Sequence, residues 1–246
     1  DADLPPVSVG SGEDEFVLTG TADRVDGWEH GGKLYLRVVD YKTGKKTFDL
    51  AELRYGLGLQ MLLYLFALEQ EGGALFGGKE IVPAGVLYTP AREPMLRCAR
   101  NTADETIEKA RKKELRRSGM VLEDPAVLEA MEHDALDAPE YLPIAVKKGG
   151  ALSGSLASEG QFAKLAKYVD RVLREIADEV FAGNINADPY ARTPQQSACT
   201  YCEFASACHF ENGRGGDHME YIKATKTDEF WSYIDEVNGE GGRKNG

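Results

Sequence analysis

Apolar and polar positions alternate over Lys33-Leu34-Tyr35-Leu36-Arg37-Val38-Val39, with Leu34, Leu36 and Val38 on one face at period two. Asp40 and Lys42 continue that face, so an apolar strand face ends in a carboxylate and an ammonium. Phe16 to Asp26 reads as a second strand. Gly27 and the Glu29-His30-Gly31-Gly32 stretch read as the hairpin turn that returns the chain to the first. This hairpin makes Asp23 and Asp40 cross-strand neighbours. Asp26, an odd offset from Asp23, points to the opposite face of a regular strand and is the weaker ligand candidate.

The pattern from Leu50 to about Gln70 predicts a helix, on which Gln60 and Tyr64 share a face at i and i+4. Beyond it the chain predicts a strand from Pro83 to Pro90 and a charged helical region from Asp104 to Arg117. A long amphipathic helix follows from about Gly160 to Phe181. The stripe of Phe162, Leu165, Tyr168, Val169, Val172, Leu173 and Ile176 on that last helix reads as core. Strands interleaved with helices indicate an α/β layer structure. Gly213 to Gly216 and the glycine-rich end read as flexible, with a final helix over Glu220 to Val237 between them.

With 246 residues, 42% of them hydrophobic, the chain can bury a sizeable core. The richest apolar window, Leu57 to Leu68, is too short to span a membrane, and no signal peptide is visible. Unpaired cysteines at metal-binding spacing suit a cytoplasmic setting. Charge runs against nucleic-acid binding: 41 acidic residues outweigh 29 basic ones, for a net charge of -12, so nonspecific affinity for DNA should be weak. Two basic clusters interrupt this background. Lys42, Lys45 and Lys46 adjoin the candidate site. The run from Lys109 to Arg117 reads as a solvated helix face, with a DNA-contacting face as the alternative.

Asp23, Asp40 and Lys42 carry the candidate chemistry. Two close carboxylates can hold a divalent cation, and an ammonium beside them can face a water or a phosphate. The same residues could form no more than a salt bridge at a strand end. Near the other end, Cys199, Cys202 and Cys208 follow the spacing C-x2-C-x5-C, which lets thiolates converge on one zinc ion or one iron–sulfur cluster but offers only three ligands. Disulfide pairing is the alternative. His209, next to Cys208, could substitute as a ligand, although a loop histidine is the simpler reading. Cys98 reads as a small core or edge residue.

Three segments together, Gly20-Thr21-Ala22-Asp23-Arg24-Val25-Asp26, Val39-Asp40-Tyr41-Lys42-Thr43-Gly44 and Gln60-Met61-Leu62-Leu63-Tyr64, resemble the nuclease motifs of the RecB-like PD-(D/E)XK family. The cysteine triplet is similar to that of the B subunits of AddAB-type helicase–nucleases and of CRISPR-associated Cas4-like nucleases. The resemblance implies a restriction-endonuclease-like core, a central mixed sheet flanked by helices, with a cysteine-containing C-terminal segment. It implies Mg²⁺ or Mn²⁺ held by Asp23, Asp40 and the backbone carbonyl of Tyr41, with Lys42 orienting or activating the attacking water. Gln60 and Tyr64 would frame the site. Cys199, Cys202 and Cys208 would join one further cysteine around a [4Fe-4S] cluster.

This sequence departs from the family in having no cysteine before Asp23 and no histidine where the family places a metal-contacting one; none of His30, His133, His209 or His218 fits. Truncation is the expected explanation of both, and the cluster is then expected to be absent or incomplete. The expected organisation is a nuclease domain over 1–210, including the cysteine segment 185–210, and a tail over 211–246. The implied function is a DNA exonuclease acting on single-stranded ends. It would pair with the helicase-bearing partner of the AddAB-type heterodimer in an ATP-dependent helicase–nuclease complex for recombinational double-strand-break repair. A Cas4-like nuclease, or an inactive nuclease fold serving as a DNA-binding or scaffolding module, are the alternatives.

Overall fold

A computed structural model describes residues 2–11 and 14–239. In chain order the strands of the first third are β1 (Ala2–Asp3), β2 (Val7–Ser11), β3 (Asp14–Leu18), β4 (Thr21–Ala22), β5 (Arg24–His30) and β6 (Lys33–Lys42). Then come α1 (Leu50–Arg54), α2 (Gln60–Glu71), a 3₁₀ turn (Gly72–Ala74), β7 (Glu80–Pro90), α3 (Asp104–Glu114), β8 (Ser118–Leu122) and α4 (Pro125–Met131). The remainder holds β9 (Ile144–Val146), β10 (Leu152–Gly154), β11 (Leu156–Ala157), α5 (Glu159–Phe181), β12 (Tyr190–Thr193), β13 (Gln196–Ser197), α6 (Ala205–Cys208), β14 (Glu220–Tyr221) and α7 (Thr227–Gly239).

The described residues fall into two compact units. The first is built from Val17–Phe48 and Gly58–Val169 with the residues up to Ser8, and the second from Val9–Phe16, Asp49–Leu57 and the residues from Asp170 onward. At the centre of the first unit is a five-stranded mixed sheet in the order β11-β8-β7-β6-β5. β5 and β6 form the expected antiparallel hairpin, from His30↔Lys33 at the turn to Arg24↔Val39 at the open end. β6 runs parallel to β7, which pairs antiparallel with β8.

Alternation decides which way β6 faces. Leu34, Leu36 and Val38 are buried on one side, while Val39 joins Leu87, Val121, Leu128, Leu142 and Ile144 in a core cluster on the other. α2 packs on β6 and β7 through a face that buries Met61, Leu62, Leu65, Phe66 and Leu68. Each fully buried leucine of this kind contributes on the order of 1.5–3 kcal/mol of transfer free energy. α4 starts at an Asp124 cap, whose carboxylate accepts from the backbone amides of Ala126 and Val127, with Pro125 at the first helical position. α5 opens with a capping box: the Ser158 hydroxyl accepts from Gln161 N at 3.2 Å and the Gln161 side chain accepts from Ser158 N at 2.9 Å.

Three elements differ from the sequence reading. The segment Phe16–Asp26 is broken into β3, β4 and β5 rather than one strand, and Asp23 occupies the bend between β4 and β5. The helix expected over Leu50–Gln70 is two helices, because Gly56 and Gly58 take φ values of 72° and 68°, a left-handed backbone that ends one helix before the next begins. The leucine pattern runs through this break and conceals it. Cys98, read as core or edge, is exposed in the irregular stretch between β7 and α3.

In the second unit, β12 pairs with β13 and β14 in a three-stranded sheet. Arg192 on β12 is ion-paired to Asp49, the α1 N-cap, at 2.5 Å and to Glu52 at 2.9 Å. α7 buries Phe230 and Ile234.

Candidate active site

The site is assembled where β6 runs out of apolar partners. Asp40 continues the buried face of Leu36 and Val38, and its side chain is 13% exposed. Two residues on, the Lys42 ammonium sits 2.7 Å from Asp40 Oδ2. That carboxylate oxygen is buried and receives no hydrogen bond of acceptable geometry. An ionised oxygen withdrawn from water and balanced only by one neighbouring ammonium is costly, and a cation is what such an oxygen is suited to bind.

Asp23 reaches the same place from the other strand. The hairpin ladder closes at Arg24↔Val39, so Asp23 lies one step beyond it, level with Asp40. Its Oδ2 accepts a hydrogen bond from Tyr41 N at 2.9 Å. That amide lies between Asp40 and Lys42 in the chain, so one backbone donor anchors the first acid beside the second. The bend at Asp23 frees its side chain from strand alternation. Asp26 is placed differently: it is ion-paired to Arg24 at 2.5 Å and Arg37 at 2.8 Å, a role that occupies both of its oxygens. Tyr41 is 42% exposed, and its hydroxyl accepts from Arg24 Nη1 at 3.1 Å.

Gln60 and Tyr64 occupy the first turns of α2 and bond to each other, with Gln60 Nε2 donating to the Tyr64 hydroxyl at 2.8 Å. Neither hydrogen-bonds to Asp23, Asp40 or Lys42. Tyr64 touches the acid-bearing segment through Gly20: a Cβ at Gly20 would stand 2.8 Å from Tyr64 Cε1, closer than carbon atoms pack. Glycine three residues before Asp23 therefore lets the Tyr64 ring lie against the backbone that carries the acid.

Beside Lys42 opens a cleft of about 240 Å³, lined by the Gly44–Thr47 loop, the end of β7, the last turn of α3 and the start of β8. Arg92 and Lys113 belong to it together with Lys45 and Lys46. The sequence reading passed over Arg92. The only sign of it was a basic residue just after the Thr89-Pro90 strand end.

The cysteines are arranged otherwise. Cys199, Cys202 and Cys208 are free thiols, the latter two exposed, within the short pieces β13 and α6 and their connecting turns. Among the described residues no three His, Cys, Asp or Glu side chains converge into a metal-binding group. Three thiolates are also one fewer than the usual four-cysteine ligation of a cluster. His209, in the left-handed conformation at the α6 C-cap, is exposed. No helix among the described residues is long and apolar enough to cross a membrane.

The chain is 35% identical over 237 residues to the B subunit of the ATP-dependent helicase/deoxyribonuclease of Clostridium kluyveri (strain NBRC 12016), covering 95% of this chain and 20% of that protein. It is 34% identical over 242 residues to the corresponding protein of Thermoanaerobacter sp. (strain X514), covering 96% and 21%, and 36% identical over 234 residues to that of Acetivibrio thermocellus, covering 94% and 20%. The chain thus spans about a fifth of the length of the relatives it matches. Residues 3–209 match the PD-(D/E)XK nuclease superfamily, and the chain, with its mixed sheet and its paired acids and lysine at the end of β6, belongs to that superfamily.

Proposed function

We propose that this chain is the nuclease domain of the B component of a helicase–nuclease and hydrolyses DNA phosphodiester bonds as a Mg²⁺- or Mn²⁺-dependent exonuclease. The observation that carries the reading is the pairing of two acids across the open end of one hairpin. Asp23 is held by the Tyr41 amide, and Asp40 Oδ2 is buried without a hydrogen bond next to Lys42.

In this reading Asp23, Asp40 and the Tyr41 carbonyl hold the cation. When bound, it supplies charge neutralisation and Lewis acidity at the scissile phosphate. Asp40 keeps the Lys42 ammonium in place, and the Nζ protons of Lys42 orient the attacking water and offset charge on the phosphate oxygens. The sheet presents these groups on a strand whose neighbouring residues are locked by packing, so little reorganisation is needed when substrate arrives. Tyr64, packed against Gly20 and bonded by Gln60, positions the segment bearing Asp23, and the pair frames the site.

The names of the relatives couple a helicase to a deoxyribonuclease. With the resemblance to AddAB-type B subunits, they support the further proposal of a cytoplasmic role in recombinational repair of DNA ends, within a heterodimer whose other member is a helicase–nuclease chain. An associated motor would deliver DNA to an otherwise acidic chain. The cysteine triplet is assigned a structural role in pinning its segment, and with a fourth thiolate it would hold a [4Fe-4S] cluster. Iron analysis of anaerobically purified chain should give less than four iron atoms per molecule.

Calorimetric titration with Mn²⁺ tests the metal assignment. The wild type should bind the ion, and Asp23→Ala and Asp40→Ala should each weaken binding at least tenfold. Unchanged binding in both variants would refute the site. An inactive nuclease fold would bind DNA and fail to cut it under any metal.

A further inference from the structure

The cleft beside Lys42 reverses the charge of the molecule. Across the whole chain acidic residues outnumber basic ones by 41 to 29, yet this cleft is lined by six basic residues, Lys42, Lys45, Lys46, Arg92, Lys113 and Arg116, against the single carboxylate of Glu114. The six come from four separate places: the end of β6, the loop after it, the residues following β7 and the last turn of α3 with its exit. Glu114 offsets little of this, standing 3.6 Å from Arg92 and 4.0 Å from Lys45. Arg116 is committed to the carbonyls of Leu142 and Ile144 and serves as a strut. Arg92 Nε is buried without a hydrogen bond.

With Asp40 paired to Lys42 and Glu114 shared between Arg92 and Lys45, the cleft still holds more cations than carboxylates and attracts an anion. The cleft also joins the candidate active site directly. Lys42 lines both, and the Lys42 and Lys46 ammoniums stand 6.0 and 5.9 Å from the centroid of the same Tyr88 ring. Tyr88 is itself buried, so it fixes these lysines and does not offer a face for base stacking.

We propose that this cleft is a phosphate track. Lys45, Lys46, Arg92 and Lys113 hold the backbone phosphates of a single DNA strand next to the one placed at Asp40 and Lys42. The proposal rests on the nuclease reading for the identity of the strand, though the affinity can be measured without cleavage. With no exposed aromatic ring in the lining for bases to stack on, and with cations as its main feature, the cleft engages the phosphate backbone and binds independently of sequence. The cleft is the local exception that lets an acidic chain keep a strand engaged at the point of chemistry.

The test is fluorescence anisotropy of a labelled single-stranded oligodeoxynucleotide in low salt with EDTA, so that nothing is cut. It compares the wild type with Lys45→Gln/Lys46→Gln/Lys113→Gln and with a charge-matched control, Lys148→Gln/Lys164→Gln/Lys167→Gln, at exposed positions outside the cleft. The cleft variant should bind on the order of tenfold or more weakly, with its salt dependence shallower by about two ions, as three lost phosphate contacts require. The control should match the wild type. Equal affinity in cleft variant and control, or a wild type no tighter than the cleft variant, would overturn the proposal. Cleavage assays on the same proteins separate the two readings. A wild type that cuts nothing, with binding still lost in the cleft variant, refutes the nuclease reading and keeps the track. Metal-dependent cutting with affinity unmoved does the reverse.

Discussion

The strand that carries Asp40 and the segment that carries the three cysteines hold their reactive side chains in contrasting ways. β6 is hydrogen-bonded on both sides, to β5 and to β7, and its Leu36 and Val38 are fully buried. Asp40 and Lys42 inherit that rigidity as the next residues on the same face. The cysteine segment consists of a two-residue strand, a four-residue helix and turns, with Tyr201 95% exposed and Phe204 73% exposed. A segment that buries so little contributes little to global stability and opens easily. In the first region geometry comes from the core, while in the second the proposed cluster would have to supply it. The core therefore holds the acids and the lysine together, whereas among the described residues no metal-binding group forms around the cysteine triplet.

The sharpest way to break this contrast is at the acid. Asp40→Ala should reduce DNA cleavage by on the order of a hundredfold or more. It should leave the circular dichroism spectrum unchanged, because the residue caps a face that the core already holds. If cleavage persists in Asp40→Ala, the strand end is a salt bridge and not a catalytic site.

Stability should divide the two regions next. Leu36→Ala, which empties a fully buried position in β6, should cost about 2–5 kcal/mol in denaturant unfolding, whereas Cys199→Ser/Cys202→Ser/Cys208→Ser should change stability by no more than about 0.5 kcal/mol in chain free of bound metal. A large loss in the cysteine variant would mean the thiols pack into a structure of their own.

Two titrating groups give smaller effects. Burial pushes the carboxyl of Glu69 on α2 up from its ordinary value. Its folded form thus favours the proton, and the charge opposes folding once pH rises above the usual carboxylate range. Glu69→Gln should raise the melting temperature at pH 7 and lose that advantage at pH 4. Thermal melts at the two pH values check it. In the second unit, His218 is raised by its contact with the Gly216 carbonyl and by Asp188 and Glu220, each 2.9 Å from its ring nitrogens. The stabilisation from this pairing is complete below the ordinary histidine value and fades as pH climbs through the raised one. His218→Gln should remove that small slope from the melting profile.

Much of the first region was legible because a strand's period of two states which side chains share a face, and Leu34, Leu36, Val38, Asp40 and Lys42 follow it, with Val39 the one further buried residue, packed on the opposite side. The helix was legible in type but not in extent. Hydrophobic periodicity continues across Gly56 and Gly58, and only the backbone shows that both are left-handed. The bend at Asp23 was hidden for a similar reason, since Gly20 to Asp26 carries no proline and reads as continuous strand. Gly20 stood in the motif without a reason until Tyr64 was seen to need its missing Cβ. The cleft was legible least of all. Lys113 lay in a run that reads as a solvated helix face, and its meeting with Lys46 and Arg92 is a tertiary fact that no local pattern encodes.

The central claim, that Asp23, Asp40 and Lys42 form a metal-dependent nuclease site, is tested most directly by degradation of end-labelled single-stranded DNA. The wild type and Lys42→Ala, purified in parallel, are compared with Mg²⁺, with Mn²⁺ and with EDTA. The account predicts products from the wild type with either metal, none with EDTA and none from Lys42→Ala. Equal degradation by Lys42→Ala and the wild type would contradict it.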